Sequence, residues 1–160
     1  MLHRKFFVVG GAGTSDTSKL NAFDSALVDA RIDQCNLVPV SSILPADATP
    51  VEFVCIPPGA ITFCVLARKD GTEGERISAG ICWAACECKE TKQRFGLVAE
   101  DAGSKTAEEA EKELQNKIKE MADARNMKIL EHKTKIVTIS ISEFELYVVF
   151  YGYMVIKTGN

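Results

Sequence analysis

Only two stretches of this chain carry helical periodicity; most of the remainder is short β-branched and aromatic runs separated by glycine and proline. The clearer helix follows Thr106, where Ala107, Ala110, Leu114, Ile118, Met121 and Arg125 trace one stripe and Glu and Lys cover the rest as a solvated face. Ser104 or Thr106 can cap it, and Thr106 with Glu109 has capping-box spacing. The other helix puts Phe23, Ala26, Leu27 and Ala30 on one face, with Asp24 beside that stripe. Strand candidates fall at residues 6–9, 36–40, 51–56, 60–67, 76–88 and 95–99, with turn signals at Pro57-Pro58-Gly59, at Lys69-Asp70-Gly71 and over 89–93. Two longer β-rich segments, 128–141 and 143–156, read as a hairpin around Ser142. The order β-α, several β, α, β pair predicts a single α+β domain over residues 1–160, a layered αββα-type sandwich with a mainly antiparallel sheet.

Composition excludes several classes of function. At 46% hydrophobic the chain is too apolar for disorder, and 160 residues suit one domain that buries roughly two-thirds of its unfolded surface. A net charge of −3 argues against a nucleic-acid partner, which selects a basic field. No apolar run approaches the roughly 20 residues that span a bilayer. The apolar part of the N-terminal MLHRKFFVVGGAG is too short for a signal peptide. A cytoplasmic protein with no membrane partner is the expectation.

The supply of reactive side chains narrows the chemistry. The two histidines, His3 and His132, stand among charged residues and read as surface groups. Six cysteines, at 35, 55, 64, 82, 86 and 88, invite a disulfide reading, but they lie in apolar runs without a secretory context. Cys82, Cys86 and Cys88 would share one face of a strand; they read as small buried hydrophobes, and a metal site there would need a fourth ligand. GGAGTSDTSK lacks the Gly-Lys-Ser/Thr ending of a phosphate loop and the third glycine of a dinucleotide fingerprint, so it reads as a plain loop.

That leaves Ser41-Ser42, the one Ser-Ser pair, set between Pro39 and Pro45 in a constrained turn. Its surroundings are informative: LNAFDSALVDARIDQCNLVPVSSILP over 20–45, IPPGA over 56–60, GERISAG over 74–80 and FGLVAE over 95–100. Together these resemble the pyruvoyl-dependent arginine decarboxylase family, from about Leu20 to the Thr106 helix and in element order to the C-terminus. The short N-terminus and the cysteine-rich strand around Trp83 depart from the family pattern.

The resemblance implies a self-processing enzyme that converts L-arginine to agmatine and carbon dioxide. Ser42 would attack the carbonyl carbon of Ser41, turning the peptide bond into an ester, which a strained, over-determined turn would make accessible. β-Elimination and loss of ammonia would leave a pyruvoyl group at position 42 and two associated chains, 1–41 (β) and 42–160 (α). The ketone would form a Schiff base with the substrate amine, so the covalent pyruvoyl group serves in place of pyridoxal phosphate. Asn36 would polarise groups near the cleavage point, Glu100 would protonate the decarboxylated carbon, and Asp24 would receive the guanidinium. By strand alternation Asp101, next to Glu100, points the other way and is expected to face solvent; Glu75 in GERISAG, which also matches a family position, would hold a turn or a subunit contact. Family members assemble as trimers with sites between neighbours, so a homotrimer of cleaved protomers is implied, and no metal is. The alternatives are a pyruvoyl decarboxylase of another amino acid, such as histidine, or a non-processed, non-enzymatic oligomeric relative.

Overall fold

The computed structural model describes residues 5–141, and 146–156 as backbone. Its elements run β1 (Lys5–Ser15), α1 (Lys19–Asp29), β2 (Asn36–Pro39), β3 (Ile43–Leu44), β4 (Thr49–Pro50), β5 (Ile61–Gly71), β6 (Arg76–Cys88), β7 (Arg94–Gly103), α2 (Ala107–Asp123), β8 (Met127–Ser140) and β9 (Leu146–Ile156). They form two sheets, ordered β2-β5-β9-β1-β4 and β3-β7-β6-β8. Pairing is antiparallel except for β1 with β4 and β2 with β5.

Alternation along each strand builds the layers. Ile77, Ala79 and Ile81 of β6 meet Phe6, Val65 and Val98 between the sheets, with Phe6 edge-on to Trp83. The opposite face of β6, Cys82, Ala84 and Cys86, receives Leu114, Ile118 and Ala122 of α2. Ala22 and Ala26, with the C-cap residue Ala30, bury the inner side of α1 against the first sheet, beside Phe7, Ile32 and Cys64. The result is the expected α+β sandwich, helix on sheet on sheet on helix. Each fully buried Leu or Ile contributes roughly 1.5–3 kcal/mol. Among the described residues no helix is long and apolar enough to cross a membrane.

Both helix readings hold. Thr106 caps α2 in a complete capping box with Glu109, and Ser18 caps α1 through the Asn21 N–H. The cysteine reading holds for Cys82 and Cys86, which are buried with thiols pushed up by desolvation, but not for Cys88, which is half-buried with its thiol lowered by hydrogen bonding with Thr91.

Four local expectations are corrected. The glycine-rich stretch is not a loop but the middle of β1. A Cβ at Gly13 would overlap backbone atoms of Ala22 and Ala26, so glycine lets α1 lie directly on the strand. Residues 51–56 form no strand; prolines at 50, 57 and 58 interrupt the donors, and only Val51 extends the pairing, through its N–H to the Phe6 carbonyl. Lys69 to Gly71 lies inside β5, and the true turn is tied by Glu75, whose carboxylate accepts from the Thr72 N–H at 2.7 Å and from Ser104 Oγ at 3.2 Å. Finally, β8 and β9 are not a hairpin: β8 edges the second sheet, whereas β9 is central in the first. Ser142 and His3 lie outside the described residues.

Gly13→Ala should force α1 away from β1 and destabilise the protein by about 1–3 kcal/mol, read as a lowered thermal midpoint. An unchanged midpoint would contradict this helix–strand contact.

Candidate functional site

The two serines occupy the place where the chain leaves one sheet for the other. Asn36 to Pro39 pair with Ile61 to Cys64 in the first sheet, an edge position where proline's missing donor is tolerated. Val40 makes the last bond on that side, its N–H donating to the Cys64 carbonyl at 2.9 Å. Three residues later Ile43 pairs with Leu97 in the second sheet. Between these anchors, the Ile43 N–H donates to the Ser41 carbonyl at 2.9 Å, a three-residue turn centred on Ser42. The Val98 N–H donates to the Ser42 carbonyl, also at 2.9 Å. The crossing is over-determined by hydrogen bonds rather than by left-handed backbone: among described non-glycine residues only Arg31, Lys92 and Asn126 have positive φ.

Ser42 is half-buried and opens onto a cleft of about 390 Å³ that it shares with Glu100 of β7. The far wall is α2, which presents Lys117 and Glu120, with Arg125 just beyond its C-terminal end. Glu100 keeps contact with water, yet the walls crowd its carboxyl: burial pushes it above the ordinary carboxylate range, with the Lys117 charge opposing.

The neighbouring carboxylate behaves differently from expectation. Asp101 does not face solvent; its side chain is 3% exposed, on the face of β7 that α2 covers. Lys117 Nζ donates to its Oδ1 at 2.6 Å, and Lys105 Nζ stands 3.0 Å from Oδ2. Burial alone would push this carboxyl up, but the two ammonium groups overcome it and hold it below its usual value. Alternation correctly separates Glu100 from Asp101, but it cannot say which side a helix will cover.

The structure brings together the Ser41–Ser42 bond and Glu100, and leaves two other expected residues elsewhere. Asn36 is exposed, with its Nδ2 donating to the Gly59 carbonyl at 3.0 Å. Asp24 is exposed on α1, outside the lining of the Ser42 cleft. Both border apolar surface. Leu20 and Val28 flank Asp24 one turn away on each side, and Leu20 is 73% exposed. Asn36 shares a strand face with Val38 and Val40, beside Ile61 and Phe63 of β5; Ile61 is 71% exposed. His132 is exposed on β8, and among the described residues no three metal-ligating side chains cluster.

Sequence reasoning missed Lys117 and Glu120, which read there as solvated helix face, and placed Arg125 on the apolar stripe, whereas it is exposed and lines the cleft. Their signal is positional: they lie beside the buried stripe Leu114, Ile118 and Ala122, on the flank that turns to the edge of β7.

The residues fit a pyruvoyl group at position 42. The carbonyl of residue 42 is anchored by Val98, independent of the bond to Ser41, and the adjoining space is open and holds a carboxyl acid.

The family model described as pyruvoyl-dependent arginine decarboxylase matches residues 5–153. The chain is 37% identical over 131 residues to the pyruvoyl-dependent arginine decarboxylase of Methanopyrus kandleri, covering 82% of each chain. A protein of the same description from Methanothermobacter thermautotrophicus is 36% identical over 129 residues, 79% of this chain and 81% of its own. One from Thermococcus sibiricus is 33% identical over 138 residues, 82% and 83% respectively.

Proposed function

This chain belongs to the pyruvoyl-dependent arginine decarboxylase family, and on that premise we propose that it cuts its own backbone between Ser41 and Ser42 and then decarboxylates L-arginine to agmatine. The observation that carries this reading is the crossing itself. The scissile carbonyl accepts a hydrogen bond from Ile43, and the residue that must be rebuilt opens onto a cleft with an elevated carboxyl.

In the processing step Ser42 Oγ bonds to the Ser41 carbonyl carbon and the peptide C–N bond breaks, giving an ester. The Ile43 N–H is placed to stabilise the oxyanion that develops on the Ser41 oxygen. Elimination leaves Oγ in a new Ser41 carboxylate; one water is then consumed and one ammonia released, and residue 42 becomes a keto acyl group. The fragments stay together because 1–41 carries β1, paired along its length with β9, and β2, paired with β5. The pyruvoyl group supplies the electron sink that decarboxylation of an α-amino acid needs, in place of pyridoxal phosphate.

The remaining tasks fall to this chain's own side chains. Glu100 in its acid form delivers a proton to the carbon that has lost carbon dioxide; its raised carboxyl keeps that form populated to higher pH than an ordinary glutamate would. Asp24 takes the guanidinium in a bidentate ion pair. Asn36 offers a neutral amide donor near the substrate. Neither reaches its own chain's cleft, and this supports a cyclic homotrimer. The apolar stripe around Asp24 and the apolar face around Asn36 both need covering, and a heterologous ring buries one protomer's patch against the next. Each site is then completed by a neighbour.

Glu100→Gln should reduce kcat by about 10²-fold or more while leaving chain cleavage intact. Native turnover in that variant would assign the proton to another group. The function itself is tested by supplying arginine and histidine separately and measuring carbon dioxide and amine. Release from arginine alone is expected; release from histidine instead would assign a different substrate, and none from either would favour a non-enzymatic relative.

A further inference from the structure

Resting on that reading of Glu100, we propose that Lys117 is its positioning residue: clamped by buried Asp101, the Lys117 ammonium is fixed at the mouth of the cleft and governs the charge state of the Glu100 carboxyl. Lysine is normally a mobile surface cation, and a mobile cation screens a neighbour weakly. Here two contacts, one of them to a buried carboxylate, restrict that freedom. Nζ lies 2.6 Å from Asp101 Oδ1 and 3.1 Å from the Glu100 backbone carbonyl, and the Asp101 side chain is 3% exposed. Lys105 closes the other side of Asp101 and is itself paired with Glu113, so the clamp is braced from the β7–α2 connection.

The surroundings leave Lys117 as the fixed charge acting on Glu100. Glu120 of α2 and Arg125, just past the end of that helix, also reach the cleft, and Lys117 is the residue of α2 whose charge opposes the burial of Glu100. From β7 the adjacent charge is Asp101, turned to the other face. On β6, Gly80 and Ile81 stand opposite Asp101 and Glu100 and carry no charge; Lys135 of β8 pairs with Ile81 one strand further away. The crossing before β3 contributes Ser42. Burial and a pinned cation thus pull the carboxyl in opposite directions, a balance suited to a group that must give up a proton and regain it each turnover.

The test uses the uncut Ser42→Ala chain, so that no prosthetic group is present, and follows the Glu100 side-chain carbon by ¹³C NMR through a pH titration. Lys117→Met should raise the midpoint by about one pH unit, because loss of a nearby positive charge favours the neutral acid. Lys117→Arg should return it towards the parent value. Asp101→Asn should give a smaller shift in the same direction, since Lys117 is then free to swing away. The double variant Asp101→Asn/Lys117→Met leaves no orphaned charge and should match Lys117→Met even where the single variant folds poorly. A midpoint that stays put in the folded Lys117→Met or double variant overturns the proposal. In processed enzyme the basic limb of kcat against pH should move up with the NMR midpoint. If the midpoint moves and that limb does not, Lys117 governs Glu100 as proposed, and the assignment of Glu100 as proton donor is the part that fails.

Discussion

Ser42→Ala is expected to purify as one uncut chain that releases no carbon dioxide from arginine. The substitution removes the only atom proposed to attack the Ser41 carbonyl, while the backbone bonds that hold the crossing remain. Ile43 still donates to Ser41 and Val98 to residue 42, so the fold should survive with its thermal midpoint near that of the parent. The loss is of a covalent step, and complete inactivity is expected. Cleavage of Ser42→Ala would show that another group opens the chain. Cleavage-free but active protein would show that no group built from Ser42 is needed. Ser41→Ala is the matching control: its hydroxyl has no part in the proposed attack, so the chain should still be cut.

The second large effect is expected at a residue that does not touch its own chain's cleft. Asp24→Ala should leave self-cleavage intact and raise the arginine KM by roughly 10–10²-fold, the scale of a lost charge-assisted pair. The location of Asp24 adds a sharper consequence. If its carboxylate serves a neighbour, Asp24→Ala and Ser42→Ala protomers expressed together should recover activity that neither shows alone at low arginine. A mixed ring contains interfaces where an intact Asp24 faces an intact residue 42. Failure to recover any activity, in rings shown to be mixed, would place Asp24 in its own chain's site or outside the site altogether. An unchanged KM would remove the guanidinium role.

What could be read from the sequence follows how local the deciding interactions are. α2 was legible because its stripe and Thr106–Glu109 box are contained within one helix. β6 and β7 were legible because burial on both faces leaves a dense apolar signature, Ile77 to Cys86 and Leu97 to Ala99. The path of β1 through Gly11 and Gly13 was not legible. Those glycines make room for a helix that follows in sequence, and their local signature is that of a turn. The separation of β8 from β9 was hidden for the same reason, since their partners, β6 on one side and β1 and β5 on the other, lie far along the chain.

The candidate site divides along similar lines. The Ser41–Ser42 bond stood out through its motif, and the structure adds the reason for its setting: it bridges two sheets. Glu100 and Asp101 were correctly assigned to opposite faces, but the burial of Asp101 depends on Lys117 and Lys105, which reach it from α2 and from the connection before that helix. Lys117 and Glu120 were invisible because a helix flank turned to a sheet edge has the composition of one turned to water.

The most direct test of the account is the mass of the protein after purification and denaturation. Two polypeptides are expected, residues 1–41 and residues 42–160, the larger lacking an amino group at its start and gaining a stable adduct at position 42 when arginine and borohydride are added together. A single chain of unmodified mass, inert to that treatment, would contradict it.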